Sequence, residues 1–220
     1  MATTKAKLTE KQVSDSLQTF AKWFPEEAES IEKHRSHIIR HIVEGTSPDA
    51  SSPLHIQSYA TKASTKAAAE ISFSPCAEAI GAFIVDVVFL VLGLLGLHVS
   101  NQESIARALL RELGEDTLRG FLRSIRNFNQ AEGAFAKAKA LFTIFGEIYN
   151  AGGFRAVFKV IKDEMSWWEW LKTGVIAAAQ IAAWVASDGA AFIAEVALNI
   201  MSAEQLIEDG VKAAKICSSG

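Results

Sequence analysis

Little in this chain of 220 residues breaks a helix: it has four prolines, and runs of alternating β-branched residues are few. With its high alanine content this predicts an all-α fold. Cysteine is nearly absent. Cys76 and Cys217 cannot make a disulfide framework; one bridge between them stays open, and two free thiols are the expectation. Neither sign of charge is in marked excess, with 22 Lys and Arg against 25 Asp and Glu for a net charge of -3, so no nucleic-acid partner is expected. The chain has no P-loop or Rossmann glycine fingerprint, no GxSxG elbow and no CxxC pair. GEDTLRG and NAGG read as helix stops, since neither sits between a strand and a helix as a phosphate cradle would. The expectation is a non-enzyme without cofactor; a helical enzyme with dispersed acids is the enzymatic alternative. The opening MATTKAKLTEKQVSDSLQTF carries no apolar segment of the secretory kind, and no lipidation motif or internal repeat is evident. That favours a chain made as a soluble protein and released or delivered by another route.

What the sequence does have is AIGAFIVDVVFLVLGLLGL, residues 79–97, with the single charge Asp86. A run of about 17–25 apolar residues has the length of a bilayer-spanning helix. A helix apolar on every side can equally be the centre of a bundle. Ser74 as N-cap and Pro75 as first helical residue mark its start, and a break near His98 is expected because Ser100 and Glu103 are spaced to cap the next helix. A second apolar region, GVIAAAQIAAWVASDGAAFIAEVALNIM, spans 174–201 behind SWWEWLK, where Ser166 and Glu169 fit a capping box. It reads either as one long helix or as a hairpin turning at Ser187-Asp188-Gly189, with arms too short to cross a bilayer.

Amphipathic helices fill the rest. Val13, Leu17, Phe20 and Phe24 predict a helix over roughly 9–23, and Ala28, Ile31, Ile38 and Ile42 a second from Pro25 to Gly45. Residues 45–56 read as a loop and the Ala-rich stretch after it as a soft helix. Ile105, Leu109 and Leu113 give a helix ending at Gly114; Leu118, Phe121, Leu122, Ile125 and Phe128 give another, with Arg119, Arg123 and Arg126 opposite. Phe135, Leu141, Phe142, Phe145 and Ile148 carry a longer one to Gly152–Gly153, and Phe154, Val157, Phe158 and Ile161 a short one. Ser202 and Gln205 start the last, with Leu206, Ile207 and Val211. The whole reads as one helical domain, 1–220, with an N-terminal helical pair at 1–45 joined by the loop 45–56.

Three groups carry chemistry. Trp167, Trp168 and Trp170 crowd the start of the second apolar region; such residues sit at membrane interfaces or pack in cores with one edge wet. His34, His37 and His41 share the second helix. The last two have a metal-ligand spacing, but HExxH is absent and no metal site is expected; near a helix end they serve the dipole or act as an acid switch. Asp86 must find a partner or be neutralised. Together with Asp188 and Glu195 it argues for a chain that folds in water before meeting lipid.

The two apolar regions under a coat of short amphipathic helices resemble the pore-forming colicin domains and α-helical pore-forming toxins, over the whole chain in outline and without a diagnostic motif. It departs from them in that about 75 residues separate the two regions, where colicins have them consecutive. The resemblance implies a single globular bundle of about eight to ten helices around a central apolar helix. It also implies a membrane-active, pore-forming protein whose partner is a lipid membrane, with a homo-oligomer forming there. The inserting residues would be Ile84, Val85, Asp86, Val88, Phe89, Leu92 and Leu95, then Ile176, Ile181, Trp184 and Phe192. Arg119, Arg123, Arg126, Lys159 and Lys162 would draw the chain to anionic headgroups beside the three tryptophans. The rivals are a helical interaction or structural protein with a buried core helix, and an integral membrane protein with two spans.

Overall fold

The structure is a computed structural model that describes residues 8–49, 52, 54, 72–97, 102–198, 200 and 203–218. Among them are eleven α-helices and no strand, so the chain is all-α as its composition dictates. The soft Ala-rich helix, the break at His98, and Ser100, His55 and Ser202 lie outside the described residues. Contacts divide the chain into two compact units, 1–63 with 161–183, and 64–160 with 184–220. Residues 161–183 thus join the N-terminal helices, a grouping that periodicity does not reveal.

In the first unit α1 runs Glu10–Trp23, where the Thr9 side chain accepts from the Gln12 amide at 3.3 Å and Gln12 Oε1 accepts from the Thr9 amide at 2.9 Å. The single second helix expected from Pro25 is three pieces: a 3-10 turn Pro25–Glu27, α2 Ala28–Lys33 and α3 Arg35–Glu44, separated at His34. Its stop is as expected, with Gly45 left-handed at φ 70°. The core of this unit comprises Val13, Leu17, Phe20, Phe24, Ile31, Ile38 and Leu54 with Trp167, Trp170, Leu171 and Val175. Phe20 lies 4.8 Å, centre to centre, from the Trp170 ring.

The second unit holds α4 (Pro75–Leu94), α5 (Gln102–Gly120), α6 (Leu122–Gln130), α7 (Gly133–Asn150) and α8 (Gly153–Ile161). After α9 (Trp167–Ala186), which begins in the first unit, come α10 (Ala190–Ala197) and α11 (Glu204–Ile216). Helix α4 packs on α5, α7 and α11, α6 on α7 and α11, and α10 on α7. Gly114, at φ 70° and ψ 166°, leaves helical geometry inside α5, so two helical segments meet at a kink where the stop was expected. Phe145 gathers Phe154, Trp184 and Phe192 around itself at 5.4, 5.7 and 5.2 Å. Two residues assigned to inward stripes face outward: Phe135 is 67% exposed and Val211 53%. Helix α11 starts after Ala203 without a side-chain cap.

The cysteines are not free. Cys76, in the first turn of α4, and Cys217, capping the C-terminus of α11, form a disulfide with Cα atoms 4.9 Å apart. The expectation of two thiols failed because helix periodicity does not say which helices lie antiparallel, and that pairing is what brings the two ends together.

Candidate functional site

Helix α4 is specified at its start by Ser74, whose hydroxyl oxygen accepts from the Ala77 amide at 3.3 Å, with Pro75 following. The same hydroxyl donates to Glu115 Oε1 at 2.6 Å, and Arg119 donates to that oxygen at 2.9 Å. These bonds, Ser74 first and then Arg119, hold the Glu115 carboxyl below its ordinary range. Arg119, assigned to lipid headgroups, is therefore engaged at the start of α4. At the other end Gly96 is left-handed at φ 71°, and the Leu97 amide returns to the Leu92 carbonyl at 2.9 Å.

Helix α4 is partly buried. Ile84, Val88, Leu92 and Leu95 are in the core, while Val85, Asp86 and Phe89 are half-buried and Ala82 and Gly93 exposed. Its partner α11 runs antiparallel: two turns beyond the disulfide, Phe83 lies over Gly210, where a Cβ would stand 3.1 Å from the ring. Asn129 Nδ2 donates to the Gly210 carbonyl at 2.8 Å. One turn further Asp86 faces not a cation but Asp209, and its Oδ2 is buried without a hydrogen-bond partner. Within this packed fold, desolvation and then the Asp209 carboxyl push Asp86 up to about 6. The Asp86 carboxyl is thus uncharged only below that value, and above it two acids face each other across the seam.

The second apolar region is broken at Ser187–Gly189, where Asp188 and Gly189 are left-handed at φ 48° and 80°. A Cβ on Gly189 would stand 2.5 Å from the Phe142 ring. Ile181, Trp184 and Phe192 are buried and Ile176 half-buried. The Ser166–Glu169 capping box is present, with mutual bonds of 3.3 and 3.2 Å.

Trp167, Trp168 and Trp170 are all buried in this fold. Trp167 Nε1 donates to Glu27 Oε2 at 2.9 Å, and Lys162 Nζ donates to Glu27 Oε1 at 2.5 Å while lying 5.0 Å from the centre of the Trp170 ring. This buried acid, cation and indole were not assigned together from sequence. In sequence, Glu27 two residues after Pro25 is just a charge favourable to a first helical turn, and Lys162 is a cation assigned to the headgroups. Among the described residues, the buried indole N–H groups of Trp168 and Trp184 meet no acceptor. Arg126 donates to Ser218 Oγ at 3.1 Å, and Arg123 and Lys159 are exposed.

His34 stands at the break between α2 and α3, and His37 and His41 lie in α3. His41 Nδ1 bonds Thr46 Oγ1 at 2.8 Å and its ring meets Trp168 edge-on at 5.7 Å. His37 is exposed, and burial, then Lys33 and His37, lower the His34 imidazole below its ordinary value. Among the described residues no group of three or more His, Cys, Asp or Glu is placed to hold a metal ion. Comparison with protein-family models, with curated proteins and with solved structures finds no match.

Proposed function

We propose that this chain is a membrane-active protein of the pore-forming kind, stored in the packed form and acting when α4 leaves its neighbours for lipid. The observation that carries this reading is the seam between α4 and α11. A helix of 20 residues, about 30 Å long and matched to the hydrocarbon thickness, is held through a like-charged carboxyl pair with an unpartnered oxygen. A helix meant only as a core would gain by an apolar residue there, since a buried polar group without a partner costs about 1–3 kcal/mol. Trp168 and Trp184 support the same reading, because their buried N–H groups find no acceptor in the packed form and would find one at the headgroups. Arg123 and Lys159, both exposed, remain to attract an anionic surface.

The second apolar region is α9 and α10 bent by 104° at their junction, so a second span would have to be a broken one. The rival interaction-protein reading draws on the exposed Leu198 and Phe135, 87% and 67% accessible. The test is to purify the chain without detergent and measure its co-sedimentation with anionic liposomes, and dye release from them, at about pH 7.5 and about pH 5, with the Cys76–Cys217 bond closed and after its reduction. Binding with release at either pH is the expected result. Soluble protein that ignores lipid at both would transfer the argument to the interaction reading.

A further inference from the structure

Helix α11 lies along α4 and α6 but puts few large side chains into the core. Of its 13 residues only Leu206, Gly210 and Ala213 are buried, and two of those three offer little or no side chain. It starts without a side-chain cap, and Glu204, Gln205, Glu208, Val211, Lys212 and Lys215 point to solvent. A helix of that length is marginal in water when little of it is buried. Along its contact with α4 the middle is a close approach at Gly210, and beyond it stand two facing carboxyls. The strongest attachment is covalent and lies at the end of the seam, between Cys76 and Cys217.

We propose that the Cys76–Cys217 disulfide is a redox lock on α4: while it is closed α11 stays seated, and thiol reduction frees α11 and uncovers the α4 face that carries Phe83 and Asp86. The reductant is a monothiol pair or a dithiol. Its thiolate attacks one cysteine sulfur, the other cysteine leaves as thiolate and takes a proton, and a second thiol resolves the mixed disulfide. The products are two cysteine thiols and one oxidised reductant, so two electrons pass to the protein. The purpose given to this opening rests on the membrane-active reading, whereas the lock itself is a statement about two helices and is tested without lipid.

The experiment uses the full chain, oxidised, then treated with dithiothreitol, beside a Cys217→Ser variant. Titration of native thiols comes first, then hydrogen–deuterium exchange of peptides from α11, α4 and α7, then dye release from vesicles of phosphatidylcholine and phosphatidylglycerol. The expected result is no free thiol in the oxidised chain, exchange in α11 about tenfold faster after reduction and in the variant, and α7 unchanged. Two titratable thiols in the oxidised chain, or equal α11 exchange in both redox states, would overturn the lock. So would an equal loss of protection in α7, which would make the bond a general staple. Dye release confined to the reduced chain supports lock and membrane reading together, and equal release from both forms overturns the lock as a gate. A loosened α11 with no release from either form keeps the lock and removes the membrane reading.

Discussion

The carboxyl of Asp86 holds its proton more tightly in the fold than in the unfolded chain, so its contribution to stability is full below about 3.8 and is lost as pH rises through about 6. Asp86→Asn should therefore raise thermal stability at about pH 7.5, by about 1 kcal/mol after discounting for solvent screening of a half-exposed group, and change little at about pH 4. Unfolding curves at both pH values check this; a loss at the higher pH would mean the charged form is stabilised in the fold. His34 has the opposite sign. Its imidazole is lowered, so its contribution is present above the ordinary value of 6.5 and lost as pH falls through the depressed one. Acid thus weakens the surroundings of His34 while it relieves the Asp86 pair, and His34→Gln should remove the loss that sets in below about 6.5 while leaving the Asp86 gain in place. Glu27 is the residue whose loss should cost most among the charged groups. Glu27→Ala strips Lys162 and Trp167 of a shared buried acceptor and should cost about 3 kcal/mol in chemical denaturation, whereas Glu27→Gln keeps an oxygen for one of them and should cost less.

Among the helices, glycines separate close packing from open surface. Gly174 in α9 meets Phe20 so closely that a Cβ would stand 2.1 Å from the ring, and Gly174→Ala should cost about 1–3 kcal/mol by denaturation. Gly93 in α4 has nothing within 4 Å, and Gly93→Ala should stabilise by roughly 0.5–1 kcal/mol through helix propensity. The same contrast explains how much of these helices the sequence could disclose. Caps and stops are local chemistry, so Ser74 with Pro75, Gly45, and Ser166 with Glu169 mark boundaries that the structure keeps, while the Thr9–Gln12 capping box was not assigned from sequence. The break at His34 leaves no such mark, because Ile31 and Ile38 fall on one side whether or not the helix is continuous. The direction faced by Phe135 and Val211 depends on which neighbours are present, and periodicity alone names no neighbours.

For the whole molecule, a net charge of -3 gives no general attraction to an anionic bilayer, so local cations must supply it. With Lys162 held inside the fold and Arg119 and Arg126 tied to Glu115 and Ser218 at the surface, reversing both Arg123 and Lys159 to Glu should lower liposome co-sedimentation by about tenfold or more at low salt. Unchanged binding would remove these two from the headgroup role. The candidate site was legible as an apolar helix with a troublesome acid. Its lock was not, because Cys76 and Cys217 stand 141 residues apart and only the antiparallel course of α4 and α11 joins them. That bond closes residues 76–217 into a covalent ring. A pull applied at residue 1 and residue 220 would run through 1–75, cross the sulfur atoms and leave through 218–220, so α4 to α11 would never bear the load. Stretched between those two residues, the oxidised chain should extend to about 280 Å and the reduced chain to about 790 Å. Any machine that threads the closed form would have to carry the ring as a folded-back loop or halt at whichever of Cys76 and Cys217 it reaches first.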